Sequence, residues 1–186
     1  VGVRQLTGKE AKQGIWARVQ DAMMAATGAV GSMTGMNEDE MTIQNVIRMD
    51  HQKVNVLFMQ ILQSDDRHKI QEYFGQLYKD LAVHAEAEEQ TVYPTVRPFY
   101  GDDTQELYDE QAEIKEKLNT LKSMEPGSNE FKNVIKQLQD IVMDHVRQEE
   151  STMFGAIRNN CSEDQQKQLA TEFKAAKQKL QEEMAK

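Results

Sequence analysis

Two copies of one motif, a histidine followed four residues later by a glutamate, constrain the fold of this chain more than any other feature. The first copy is His84 with Glu88, and the second is His145 with Glu149. Positions i and i+4 lie one turn apart on the same face of an α-helix, so each pair directs an imidazole and a carboxylate the same way. Apolar residues at helical spacing precede both pairs: Ile70, Phe74, Leu77 and Leu81 before the first, and Phe131, Val134, Leu138 and Ile141 or Val142 before the second. The pattern predicts that both pairs interrupt the core-facing seams of bundle helices.

A third histidine and a glutamine occupy similar core positions on two other predicted helices. His51 stands between Ile47 and Val54 on an apolar stripe, and Gln111 lies between Leu107 and Ile114. Burying ionisable groups without partners is strongly unfavourable, and a bound metal cluster would satisfy all of them together. Imidazoles and carboxylates suit iron, manganese, zinc or copper better than magnesium or calcium. We therefore predict five metal ligands: His51, His84, Glu88, His145 and Glu149.

The remaining pattern predicts an all-α protein, an antiparallel up-down-up-down four-helix bundle with an additional N-terminal helix and a C-terminal helix. Turn signals separate the bundle helices at 64–66, at 94–101 and at 126–128, and Pro94 and Pro98 predict the end of the second one. The third and fourth bundle helices are expected at about 103–123 and 129–158. Short connections make consecutive helices antiparallel neighbours.

Three segments are expected along the chain. Residues 1–36 form an N-terminal helix, with a capping box at Thr7 and Glu10, followed by a Gly-rich connection. Residues 37–160 form the bundle, which opens with a second capping box at 37–40, and residues 161–186 form a C-terminal helix packed on it. The candidate polar residues lie 13 to 18 residues from the connections at one end of the bundle, which places them in one layer.

The charge and the apolar pattern exclude several classes of function. The net charge of −9 disfavours nucleic acid as a partner, because an acidic surface repels phosphate backbones. No apolar run is long enough for a membrane span, and charged residues between Lys9 and Asp21 argue against a signal peptide. The single cysteine, Cys161, suits a reducing compartment, so we expect a cytoplasmic protein.

Four segments, MDHQKVNVLF, LAVHAEAEEQTVYP, DEQAEIKEKL and DHVRQEESTMF, resemble the four helices of the hemerythrin-like HHE cation-binding family. The resemblance covers roughly residues 41–158. It implies a non-haem, usually di-iron centre inside a four-helix bundle, with the histidines as terminal ligands and both glutamates bridging the metals. Members of that family bind dioxygen, sense oxygen or nitric oxide, or protect against iron, oxidative or nitrosative stress, so the expected partner is a diatomic molecule or peroxide.

Gln111 departs from the family pattern, which commonly has a histidine at this position. An amide oxygen is a weak, neutral ligand, so Gln111 is a candidate weak ligand or a hydrogen-bonding neighbour of the centre. The expected arrangement draws one metal position from His51 and His145, and the other from His84 and the third bundle helix, with both glutamates shared. It predicts one firmly held metal and a second that is weak or absent, unless Glu110 or Glu113 turns inward.

A second class of function stays open on sequence grounds. The bundle would then be a metal-poor interaction or scaffold protein that binds a protein partner through its N-terminal helix or its acidic surface. Whether the chain catalyses a reaction is also left open by these residues. Among the other residues of interest, Tyr93 is interpreted as a core aromatic, with a hydrogen bond near the site as the alternative, and His68 as solvent-exposed.

Overall fold

The computed structural model of the protein describes residues 41–186, and every regular element in that range is helical. Helices α1 and α2 precede a first π segment, which leads into α3; α4 and α5 precede a second π segment, which leads into α6 and then α7. Their bounds are α1 Ile43–Gln63, α2 Arg67–Ala87, first π segment Glu88–Val92, α3 Tyr93–Tyr100, α4 Asp103–Lys122, α5 Asn129–Gln148, second π segment Glu149–Met153, α6 Phe154–Asn160 and α7 Glu163–Met184.

Four long helices form the bundle. Helix α1 packs against α2 and α5, and α4 packs against the same two helices, which closes a square of antiparallel neighbours. Helix α7 lies along α1 and α2 and also contacts the first π segment. The predicted all-α bundle with a C-terminal helix is therefore confirmed. The predicted N-terminal helix and the capping box at 37–40 lie outside the described residues, and the proposed domain boundaries stay predictions.

Side-chain caps explain why several helices begin where they do. The Asp66 carboxylate accepts hydrogen bonds from the backbone N–H groups of His68 and Lys69 at the start of α2. Ser128 caps α5 in the same way. Ser162 and Gln165 form the predicted capping box at the start of α7. These caps pair backbone N–H groups that the first turn of a helix would otherwise leave without a partner.

The two π segments correct the sequence-based prediction at Pro94 and Pro98. The helix does not end there: it widens at Glu88 and continues as α3 to Tyr100, where Gly101 takes a positive φ of 66°. The widened turn bonds the Tyr93 N–H to the Glu88 carbonyl, five residues back. Pro94 is the second residue of α3, and Pro98 lies inside the same helix.

The core consists of two apolar clusters, one on each side of a polar layer. One cluster lies toward α3, α6 and the start of α7, and the other lies among α1, α2, α4 and α5. On α5 the buried stripe runs through Ile135 and Val142, whereas Val134 and Ile141 are only partly buried. The stripe predicted through Val134 is therefore wrong by one residue at that turn. None of the helices within 41–186 is long and apolar enough to cross a membrane.

Candidate metal centre

All six sequence-predicted site residues meet in the polar layer between the two apolar clusters. They come from every bundle helix: His51 from α1, His84 from α2, Gln111 from α4 and His145 from α5, with Glu88 and Glu149 opening the two π segments. Both glutamates are 0% exposed. The three histidines and Gln111 are also buried. Within the described range, the structure brings together every residue that the sequence singled out as a ligand.

Each candidate glutamate is the first residue of a π segment. The two segments, Glu88–Val92 and Glu149–Met153, have the same length and occupy matching positions after α2 and α5. A π turn inserts extra backbone into a helix and often marks a functional site. The widened turn therefore coincides with the carboxylate in both halves of the bundle.

The inward-facing atoms form two groups that share one carboxylate. His51, His84 and Glu149 make the first group, and Glu88, His145 and Glu149 make the second; within each group the ligand atoms lie within 4.8 Å of one another. Glu149 Oε1 is 3.4 Å from His51 Nε2 and 3.2 Å from His145 Nε2. Each group therefore offers a metal ion three candidate ligands, with Glu149 between them.

The histidines group differently from the sequence-based expectation, which paired His51 with His145. Because α1 and α2 are adjacent, His51 instead meets His84, with 5.1 Å between ring centroids and 61° between ring planes. The second group contains one imidazole and two carboxylates, and Gln111 lies beside it. The Gln111 amide donates to Glu88 Oε1 at 3.0 Å.

Two carboxylates outside the groups orient two of the histidine rings. Asp50 Oδ2 lies 2.8 Å from His84 Nδ1, and Glu110 hydrogen-bonds His145 Nδ1. An acceptor on Nδ1 leaves Nε2 of each ring facing the interior, which is the arrangement that metal-binding histidines usually show. The sequence leaves open an inward-facing Glu110, and the structure instead places its carboxylate on the outer nitrogen of His145. Sequence reasoning missed Asp50, whose only local signal was its position next to His51.

Tyr93 belongs to the polar layer rather than to the apolar core alone. Its side chain is 0% exposed, and its hydroxyl donates to Glu149 Oε2 at 3.2 Å. The Tyr93 hydroxyl oxygen also accepts from the Gln111 amide at 2.6 Å and lies 3.1 Å from His145 Nε2. The ring is buried as the sequence indicated, and the alternative interpretation, a hydrogen bond near the site, also holds, because the hydroxyl contacts three of the candidate residues.

Burial and mutual charge shift the pKa values of the central groups in opposite directions. Burial, together with the negative charge of Glu149, raises the pKa of Glu88 to about 7. Burial alone would also raise the pKa of Glu149, but the charge of His145 and hydrogen bonds to Glu88 and His51 outweigh it and lower that pKa. Burial lowers the pKa of His145, yet Glu149 and Glu110 together raise it to about 9. Without a metal, one carboxylate and the imidazoles compete for protons.

Several buried polar atoms at the centre make no hydrogen bond among the described residues. They include His84 Nε2, Glu88 Oε2, Gln111 Oε1 and Glu149 Oε1. His84 Nε2 is only 2.7 Å from Glu88 Oε1, so the two atoms are close without being aligned for a hydrogen bond. An unsatisfied buried polar group costs about 1–3 kcal/mol. Three of these atoms, on His84, Glu88 and Glu149, belong to side chains of the two groups that could hold a metal ion.

A small cavity lies against four of the candidate residues. Its volume is about 20 Å³, enough for a molecule of roughly the size of one water. His51, His84, Gln111 and His145 line it together with Val54, Leu81, Ala85, Ile114 and Val142. Space for a small molecule therefore exists next to the inward-facing imidazoles.

Comparison with known proteins identifies the family. The family model of the hemerythrin HHE cation-binding domain matches residues 42–157. The chain is 63% identical over 184 residues to a protein of Nostoc sp. (strain PCC 7120) named DNA nickase, which covers 97% of this chain and 52% of that protein. It is also 24% identical over 139 residues to an uncharacterized hemerythrin-like protein of Schizosaccharomyces pombe, covering 73% of this chain and 68% of that protein.

The chain spans about half the length of the Nostoc relative. That relative's name also opposes the sequence-based exclusion of nucleic acid, which rested on net charge alone. The match over residues 42–157 includes all the candidate ligands and the four bundle helices. This chain belongs to the hemerythrin HHE cation-binding domain family of metal-binding helical proteins.

Proposed function

We propose that the chain holds one or two non-haem iron ions on five side chains, those of His51, His84, Glu88, His145 and Glu149. This centre would bind or sense dioxygen, nitric oxide or peroxide, or protect against iron, oxidative or nitrosative stress. The observation that carries the proposal is the set of buried atoms without a hydrogen bond on three of these side chains, namely His84 Nε2, Glu88 Oε2 and Glu149 Oε1. A protein interior rarely leaves such atoms without a partner. Manganese or zinc would suit the same nitrogen and oxygen donors.

The distances between the donor atoms support the proposal. Two ligand atoms at about 2.1 Å from one tetrahedral metal ion are about 3.4 Å apart. His51 Nε2 and Glu149 Oε1 are separated by 3.4 Å, and His145 Nε2 and Glu149 Oε1 by 3.2 Å. Distances in this range suit ligands that share an ion.

The side chains around the centre would each have a defined task. Iron would supply an open coordination position and a change of oxidation state. Asp50 and Glu110 hold the histidine rings so that Nε2 faces the interior. The Tyr93 hydroxyl and the Gln111 amide hold the carboxylates of Glu149 and Glu88. The apolar part of the cavity lining, such as Val54 and Leu81, excludes bulk water and favours a small neutral ligand.

Metal analysis of the whole chain tests this function. The protein is purified without oxygen and without a metal-affinity tag, and bound iron is measured in the wild type, in His84→Ala and in His145→Ala. We expect both variants to lose metal sharply while their helical circular dichroism persists. His68→Ala is the matched control, because the side chain of His68 is 83% exposed at the start of α2. Equal metal in all four proteins would reject the ligand assignment.

Binding of the small molecule is tested on the same preparations. Nitric oxide added to the ferrous wild type should produce a new electron paramagnetic resonance signal that His84→Ala and His145→Ala lack. A metal-poor scaffold protein, the alternative left open by the sequence, would bind neither iron nor nitric oxide. A wild type that remains free of metal after anaerobic loading would favour that alternative.

The relative named DNA nickase supports a second candidate function, cleavage of one strand of duplex DNA. The identity of 63% across 97% of this chain carries it, against a net charge of −9 that opposes DNA binding. Glu88 and Glu149 are fully buried, so a phosphodiester cannot reach them unless the helices part. Dioxygen-dependent cleavage therefore fits this bundle better than hydrolysis at the centre.

A plasmid assay separates these possibilities. Metal-loaded wild type is incubated with supercoiled plasmid in low salt, with and without dioxygen, beside His84→Ala and the surface control His68→Ala. Conversion of the supercoiled plasmid to the open-circular form by the wild type and His68→Ala, but not by His84→Ala, would support nicking by the metal centre. A plasmid that stays supercoiled with the fully loaded wild type would reject this second function.

A further inference from the structure

Helix α7 lies outside the segment that matches the family, yet it reaches the candidate metal centre. The match ends at residue 157, and α7 spans Glu163–Met184. Its residue Lys177 places Nζ 2.6 Å from Asp50 Oδ1 and 2.7 Å from Asp50 Oδ2. Phe173, one turn earlier, packs edge-on against the ring of His84 with 5.6 Å between centroids. Two side chains of α7 therefore touch the His84 side of the centre.

Lys177 and His84 both hydrogen-bond to the carboxylate of Asp50. Asp50 is 8% exposed, and its Oδ2 accepts from both Lys177 and His84 Nδ1. A buried carboxylate with one partner removed is strongly destabilised and turns toward water if it can. A groove of about 320 Å³ lies next to Asp50, lined also by Lys53, Asp80 and Gln181. Without Lys177, Asp50 has a polar space into which it can rotate away from His84.

We propose that Lys177 is a positioning residue of the metal centre, acting through Asp50 to hold the Nε2 atom of His84 toward the metal. The inference rests on the proposed metal-binding function and extends it to the C-terminal helix. Lys177 touches no candidate ligand. It clamps both oxygens of Asp50, which keeps one of them on His84 Nδ1 and prevents the imidazole from rotating or changing its tautomer.

The clamp acts on one of the two ligand groups. Glu110 is the carboxylate that holds His145 Nδ1, and its side chain is 25% exposed rather than clamped by Lys177. His84 belongs to the group with His51 and Glu149, and His145 belongs to the group with Glu88. Loss of Lys177 therefore weakens the His51–His84–Glu149 position and leaves the other unchanged.

Zinc and cobalt titrations of the whole metal-free chain test this inference. Zn²⁺ affinity is measured by competition with a chromophoric chelator, and the visible spectrum of bound Co²⁺ reports the ligand geometry. Lys177→Met and Asp50→Asn should each weaken the His84 position by about 10–100-fold, the range found when a partner of a metal-bound histidine is removed. Lys177→Arg should restore most of the affinity, because arginine also donates to both carboxylate oxygens. Lys167→Met is the matched control, since Lys167 pairs with Glu163 on the surface of the same helix.

A double variant distinguishes positioning from a purely structural contribution of Lys177. If both residues act through His84, the double variant Asp50→Asn with Lys177→Met should bind Zn²⁺ no more weakly than Asp50→Asn alone. This pair of substitutions leaves no unpaired buried charge, so it also serves if Lys177→Met does not fold. A structural lysine would lower the melting temperature, yet it would leave both the Zn²⁺ affinity and the Co²⁺ spectrum of the folded variants as in the wild type, and that result overturns the inference.

Failure of this inference differs from failure of the proposed function. A wild type without Zn²⁺ affinity, or a His84→Ala variant that binds as the wild type does, would reject the metal site itself. A wild type that binds Zn²⁺, a His84→Ala variant that loses one ion, and a Lys177→Met variant that matches Lys167→Met would reject only the assignment of Lys177.

Discussion

The Gln111 amide donates a hydrogen bond to Glu88 Oε1 at 3.0 Å. Gln111 therefore contacts a candidate ligand, at a position where a histidine could itself bind the metal. The same nitrogen is 2.6 Å from the Tyr93 hydroxyl and 3.5 Å from His145 Nε2. Gln111 thus lies beside the group of Glu88, His145 and Glu149. It contributes a hydrogen-bond donor to this group and not a nitrogen ligand for a metal. This relationship makes the two proposed metal positions unequal.

Gln111→His should raise the ratio of metal to protein toward two. The substituted imidazole adds a nitrogen ligand to the position that has only His145, and it removes the N–H group that now holds Glu88. Iron content and the optical absorption of an oxo-bridged pair of ferric ions measure the gain. Gln105→His is the control, because Gln105 is an exposed residue of the same helix.

Equal binding of two irons by the wild type, together with an unchanged Gln111→His variant, would contradict this prediction. The opposite outcome, loss of the existing metal in Gln111→His, would show that the amide contributes more by holding Glu88 than a histidine adds as a ligand. Both readings separate cleanly from the control, since Gln105→His leaves the centre intact.

Tyr93→Phe should lower the stability of the protein and loosen its metal. The substitution leaves the Gln111 amide and Glu149 Oε2 without the hydroxyl that they now share, at a cost of about 1–3 kcal/mol. Thermal melting of the metal-free protein measures the first effect, and the rate of iron removal by a chelator measures the second. Tyr100→Phe is matched on the same helix, because the Tyr100 hydroxyl contacts Thr152 in an exposed pair. Identical chelation rates in the two variants would argue against a role for the Tyr93 hydroxyl at the centre.

The bundle and its ligands could be predicted because both depend on local periodicity. Spacings of three and four residues placed His84 on the apolar seam of α2 with Glu88 one turn later, and the same rule placed His145 on α5 with Glu149 one turn later. The layer followed from the connection lengths alone. Gln111 could be located because its neighbours Leu107 and Ile114 occupy the same buried stripe.

The groups that surround the ligands could not be predicted, because each depends on tertiary contacts. Asp50 and Lys177 are 127 positions apart in the chain, and nothing local indicates that they meet. The pairing of His51 with His84 depends on which helices are adjacent. The two π segments were missed because their residues suit an ordinary helix equally well, and Pro94 suggested an end to the helix instead.

Metal should stabilise the fold measurably. A ligand present at 100 times its dissociation constant adds about 2.7 kcal/mol to the free energy of unfolding. For a chain of this size, that corresponds to a rise in melting temperature of about 5–10 °C. Melting curves with and without chelator should therefore separate in the wild type and lie closer together in His84→Ala, which lacks a ligand of the position with two imidazoles. Coincident curves for a wild type shown beforehand to contain iron would contradict the prediction.

Metal uptake near neutral pH should release protons, and the affinity should rise with pH. In the metal-free protein the pKa of His145 is about 9 and that of Glu88 is about 7, so at pH 7.5 the imidazole holds a proton that a metal must displace. A raised histidine pKa contributes stability that is complete below its ordinary value of 6.5 and is lost as the pH rises through about 9. The raised pKa of Glu88 acts in the same direction between pH 4.5 and about 7, because its unfolded form ionises first. The metal-free protein should therefore melt at lower temperature as the pH rises from 6 to 9. Over the same range the difference in melting temperature between the metal-loaded and the metal-free protein should increase.

Calorimetric Zn²⁺ titrations in two buffers of different ionisation enthalpy count the protons that metal binding releases, and His68→Ala should release the same number as the wild type. Zn²⁺ binding at pH 7.5 without proton release would show that the imidazoles are already neutral in the metal-free centre.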